Sequence, residues 1–223
     1  MTTENQDFQK ALSLANTGDM NAQFDLGVMF DKNINIPENY HQESAAIHWF
    51  RKAAEQGHVI AQLNLARKLG AKYGFTRNHK ESLEWYHKAA DLNNAEAQHA
   101  LGFAYANGEG TSKDLKKAIK WYQKAAQQGL ARAQINLGAM YSDGCGVPQD
   151  YSKAANLYLM ASEQGDEIGK VNLRLMYANG SGLPDNDEDA VVWYLRGADH
   201  GGEYQQHYKV SLHQECGRLY NWN

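Results

Sequence analysis

Proline is scarce, three in 223 residues, and cysteine scarcer, with Cys145 and Cys216 alone. Few prolines leave long helices uninterrupted. Two cysteines do not make the patterned set that builds a small secreted disulfide fold. No stretch approaches the roughly 18 uninterrupted apolar residues that mark a membrane-spanning helix, so no membrane insertion is expected. Basic excess is also missing: 22 Lys and Arg stand against 26 Asp and Glu, a formal net charge of −4. That balance lacks the electrostatic footprint of a nucleic-acid binder. Apolar residues never alternate with period two over any length, so strands have no place. The N-terminal stretch MTTENQDFQKALSLANTGD has no basic start followed by an apolar run, so no secretory signal is expected. The simplest compartment is then reducing and cytoplasmic.

Aromatic residues are plentiful, thirteen tyrosines and five tryptophans, and they recur on a fixed period. WFRKAA (49–54), WYHKAA (85–90), WYQKAA (121–126), LYLMAS (157–162) and WYLRGA (193–198) begin 36 residues apart throughout. Such a period signals a stack of repeated units. Aligning these segments brings the rest into register. Ala61-Gln62, Ala97-Gln98 and Ala133-Gln134 recur upstream, with Gly169-Lys170 in the fifth copy and Ala22-Gln23 in the first, three residues early. A small residue and an aromatic follow: Gly27 and Phe30, Gly102 and Tyr105, Gly138 and Tyr141, replaced by Ala66 and Leu69 in the second copy.

Each copy reads as two helices. Ala97, Leu101, Ala104 and Tyr105 share one helical stripe, and Ala118, Trp121, Tyr122 and Ala125 share another. The turns between them, NGEGTSKD (107–114), DGCGVPQD (143–150) and NGSGLPDN (179–186), carry glycines that end the first helix. Asn78, Asp114, Asp150 and Asn186 recur where the second helix begins and are good N-cap types. Gly57, Asn93, Gly129, Gly165 and Gly201 close that helix, at residues able to enter a left-handed turn. A single helical hairpin cannot bury its own apolar stripe. The paired rings fill the space between units, each hiding roughly 150–250 Å², on the order of 4–6 kcal/mol of gross burial. Phe8 to Asp19 reads as a second helix without its first, and residues 202–223 as a last, capping segment, since terminal units must be atypical.

These motifs resemble the Sel-one-like repeat family, relatives of the tetratricopeptide repeats. The resemblance covers about residues 21–201, and the pattern AQ, LG, Y, GxG, D, KA, WY, KAA and G is nearly complete in copies three and four. It implies an all-α, right-handed superhelix of about five 36-residue hairpins. One repeat domain then fills 1–223: a half repeat at 7–19, repeats at about 20–57, 58–93, 94–129, 130–165 and 166–201, and the capping segment. It also implies a non-enzymatic adaptor that binds a protein or peptide. Two other roles follow from the resemblance: a bacterial immunity protein antagonising one toxin, and an enzyme or regulator of cell-wall or β-lactam metabolism. Departures are a three-residue insertion near 31–39, Leu157 in place of Trp, and Arg174 where a small residue packs. The insertion makes a longer turn or an extra helical turn, and Arg174 should disturb the fifth copy.

No catalytic, cofactor or metal motif stands out. HExxH and CxxC are absent, and no serine has a lysine three residues on, the spacing a β-lactam site would use. The GxG turns at Gly108/Gly110, Gly144/Gly146 and Gly180/Gly182 lack the GK[ST] and the strand of a phosphate loop. DNDED (185–189) begins like a calcium loop but has Ala190 and Arg196 at the essential glycine and glutamate positions. His79, His87, His99 and His207 lack i,i+4 partners and read as lone histidines. Cys145 falls in a turn, and a disulfide to Cys216 would bridge two repeats, so neither a reactive thiol nor a bridge is expected. Partner-binding candidates are the third and seventh residues counted from the alanine of AQ, which lie i,i+4 on one face. They are Phe24 and Val28, Leu63 and Arg67, His99 and Phe103, Ile135 and Ala139, Val171 and Leu175. As an apolar row broken by Arg67 and His99, they suit a concave groove for a peptide or amphipathic helix. Tight curvature would instead bury them between neighbouring first helices. A monomer is favoured.

Overall fold

The computed structural model describes residues 3–37, 44–70 and 78–178, and every element in them is helical. The chain divides into two compact units, Met1–Ala97 and Gln98–Asn223. In the first lie α1 (Thr3–Asn16), α2 (Met20–Lys32), α3 (Ala45–Glu55), α4 (Val59–Gly70) and α5 (His79–Asp91), each packed on the next. The second holds most of α6 (Ala95–Asn107), then α7 (Leu115–Gln127), α8 (Ala131–Asp143), α9 (Tyr151–Glu163) and α10 (Glu167–Ala178), and from α7 on each again packs on the next. Even-numbered helices are the first helices of the repeats, odd-numbered ones the second.

The turn chemistry explains the register. Asn78, Asp114 and Asp150 cap α5, α7 and α9, each accepting through its side chain from the backbone N–H three residues on, at 2.9–3.1 Å. Their own N–H groups donate to Leu69, Tyr105 and Tyr141 carbonyls at 2.8–2.9 Å. Both ends of the turn are thereby tied, and the second helix starts from the same hydrogen-bonded geometry in each of these copies. Asn186, read as the fifth such cap, lies outside the described residues, as does the segment 202–223. Asn93 takes φ +62° where Gly57, Gly129 and Gly165 take +86° to +95°, so asparagine performs the glycine's turn at a small steric cost. The insertion in copy one does not lengthen α2, which has 13 residues, as do α6 and α8; residues 38–43 lie outside the described residues. Its residues follow the left-handed cap Asn33.

In copies one, three and four one ring enters a notch within the hairpin. Phe50, Tyr122 and Tyr158, the second ring of the pair, sit against Gly27, Gly102 and Gly138, where an added Cβ would meet ring carbons at 2.4, 2.6 and 2.8 Å. Phe50 and Tyr122 are fully buried. In copy two the notch residue is Ala66, and Tyr86 is only half-buried. The first ring lies shallower in copies one and three, where Trp49 is 7% exposed and Trp121 half-buried, but deeper in copy two, where Trp85 is buried. Lys52, Lys88 and Lys124, three residues on, hold their ammonium groups 3.6–5.0 Å from the Trp ring centres, a cation–π arrangement.

Glutamines stitch successive hairpins. Gln23, Gln62 and Gln134 each donate to the carbonyl eight residues earlier, Ala15, Ala54 and Ala126, at 3.1–3.4 Å. Gln56, Gln128 and Gln164, just past the second helices, donate in turn to the Oε1 of Gln23, Gln98 and Gln134 at 2.7–2.9 Å. The bond from Gln23 to Ala15 gives α1 the role of a preceding second helix.

Candidate functional site

The ten candidate positions divide by depth. Ile135 is fully buried, Leu63 is 4% exposed and His99 7%. Phe24, Val28, Phe103, Ala139, Val171 and Leu175 are half-buried, and Arg67 is exposed. In copies two to four the third position is buried, and the seventh is half-buried or exposed.

In the first unit Phe24 stacks on His58, ring centres 4.3 Å apart and planes 18° from parallel. His58 also accepts through Nδ1 from the Ala61 N–H at 3.1 Å, so the histidine caps α4 and walls the row at once. Arg67 pairs with Glu96 at 3.2 Å. Arg51 pairs with Glu81, and that guanidinium holds the Glu81 carboxyl below its ordinary range.

In the second unit His99, Tyr122 and Asn136 meet in the interior. Asn136 Nδ2 lies 3.1 Å from His99 Nε2, a contact that requires an unprotonated Nε2 if the amide donates. The His99 and Tyr122 rings are 5.5 Å apart. The Tyr122 hydroxyl and Asn136 Oδ1 are buried without an aligned hydrogen bond. Burial pushes the Tyr122 hydroxyl far above its ordinary pKa, against a smaller opposing influence from the neighbouring Asn136 amide. Phe103 packs against the cluster that contains Tyr122 and Leu137.

Cys145 corrects the sequence expectation. The sequence reading is that it makes no bridge; its N–H donates to the Met140 carbonyl at 2.9 Å and its side chain is 6% exposed within the core. It is disulfide-bonded; the chain's other cysteine, Cys216, lies outside the described residues. Within the turn 143–150 Cys145 is buried while Asp143, Gly146, Pro148 and Gln149 stay exposed, and a GxG pattern does not reveal that inward side chain. Among the described residues no cluster of three His, Cys, Asp or Glu is placed to hold a metal, and no helix is long and apolar enough to cross a membrane. His58, Glu96 and Asn136 were missed by sequence reasoning. His58 stands just before the AQ helix, and Glu96 29 residues past Arg67; only packing brings them to the row.

Serial hairpins joined by one repeated seam define a helical repeat protein. The Sel1 repeat matches at residues 21–58, 59–94, 95–130, 131–166 and 169–202, and the chain belongs to that family. A protective antigen of uropathogenic Escherichia coli strains, described as displaying an SLR fold, is 30% identical with a TM-score of 0.79 over 89% of this chain. This chain spans 42% of that protein's length. A Sel1 repeat protein from Oxalobacter formigenes is 33% identical with a TM-score of 0.75, covering 89% of this chain and 80% of its own. No curated protein matches the sequence significantly.

Proposed function

We propose that the chain is a non-enzymatic protein-interaction module that holds a peptide or protein partner along its first helices. The observation that carries this reading is the split between positions that packing dictates and positions that it leaves open. Notch glycines, N-caps and seam glutamines recur because each interface repeats. The seventh positions Val28, Arg67, Phe103, Ala139 and Leu175 differ from copy to copy and stay half-buried or exposed. Half-buried apolar side chains beside a charge that is already paired give anchors with few polar contacts, the chemistry of a groove that accepts an amphipathic or extended segment.

Affinity capture from the native cell, comparing the wild-type chain with Phe24→Ala and Phe103→Ala, tests this. A partner retained by the wild type and weakened about tenfold or more by the alanine variants, with little change in melting, is the expected outcome. Undiminished capture together with a stability loss approaching about 3–5 kcal/mol would make Phe103 a core residue instead.

A further inference from the structure

The second helix of the third copy is charged unlike its counterparts. α7, LKKAIKWYQKAAQ, carries Lys116, Lys117, Lys120 and Lys124, all exposed, and no acidic residue. Lys117 pairs with Asp114 at 3.6 Å and sits over the Tyr105 ring, and Lys124 covers Trp121. Lys116 and Lys120 make no ion pair among the described residues. With Lys124 they form an i, i+4, i+8 row. At 1.5 Å rise per residue the row is about 12 Å long.

Packing does not ask for this row. Its counterparts are Ser44, His48 and Lys52 in copy one, Lys80, Glu84 and Lys88 in copy two, and Ser152, Asn156 and Met160 in copy four. Copy two places opposite charges at i,i+4 spacing, which supports a helix; copy three places like charges there, which opposes it. The local cost is retained in a chain whose net charge is −4.

We propose that the exposed face of α7 is a second contact surface, which binds an acidic segment of a protein partner, two or three carboxylates at helical pitch meeting Lys116, Lys120 and Lys124. Lysine ammonium groups on flexible stems suit carboxylates presented one at a time. The row is short, and Asp114 stands at its head. A long polyanion would run past the row onto a chain of net negative charge, whereas a short acidic segment stays upon it. The surface belongs to a second helix and stands apart from the first-helix row, so each can fail without the other.

The test is fluorescence anisotropy with a labelled helical peptide carrying glutamates at i, i+4 and i+8. Binding by the wild type that weakens with added salt, and falls about tenfold in Lys116→Glu/Lys120→Glu, is expected. Lys116→Ser/Lys120→Asn installs the fourth copy's own residues and should show the same loss in direction with no new charge. Phe103→Ala should bind the peptide as the wild type does. Equal affinity in the lysine variants, with melting unchanged, would overturn the proposal. So would tighter binding of single-stranded DNA or of phosphatidylserine vesicles than of the peptide, which would make the row a nucleic-acid or lipid contact.

Discussion

At Gly102 the side chain is absent because a ring occupies its place. Two effects oppose each other if alanine is put there. Helix propensity favours alanine over glycine by about 1 kcal/mol. Overpacking a filled core costs about 1–3 kcal/mol. The new Cβ would lie 2.6 Å from a carbon of the fully buried Tyr122 ring, so the ring must move as a body and the second effect wins. Gly102→Ala is expected to destabilise the chain by up to about 2 kcal/mol in urea unfolding, with Tyr122 shifted toward the half-buried state of Tyr86. A variant that melts at or above the wild-type temperature would show that the notch imposes no constraint. Copy two already displays the compromise, since Ala66 and Tyr86 coexist there with the ring partly out.

Between elements, the glutamine relay is interrupted in copy two. Gln62 Oε1 is buried without a partner. The residue that should donate to it, matching Gln56, Gln128 and Gln164, is Leu92, which is 54% exposed. Leu92 has φ −85° and ψ 20°, close to −83° and 3° at Gln128, so glutamine fits the backbone as it stands. Leu92→Gln is expected to stabilise the chain by about 1 kcal/mol, the worth of one satisfied buried acceptor. Leu92→Ala serves as the control in the same denaturant titration. If glutamine stabilises no more than alanine, the relay contributes nothing at that seam.

Across the whole molecule, several carboxylates are bound in their ionised form. The Lys117 backbone N–H lowers the Asp114 pKa, the Lys153 ammonium lowers that of Asp150, and Arg51 lowers that of Glu81. Folding therefore favours the deprotonated groups. Their stabilisation is complete above the ordinary carboxylate range and is lost as pH falls through the depressed folded values. Thermal melts should be flat through about pH 5–8 and should fall below about pH 4. Asp114→Asn/Asp150→Asn keeps neutral caps and should fall less steeply. An identical acid limb in that double variant would remove the caps from the account.

The periodic sequence by itself determined the helical hairpins, their 36-residue register and their caps, because these rest on local rules: residue types that end helices, accept from free N–H groups, or repeat every turn. Gly57, Asp114 and Trp121 are readable on that ground alone. Only the tertiary structure decided which ring of each pair fills the glycine notch, that Ile135 and His99 are buried while Phe103 is half-buried and Arg67 exposed, and that Cys145 turns inward. Depth depends on how closely one hairpin approaches the next, and that distance is a property of the packed interface, set jointly by residues a full repeat apart.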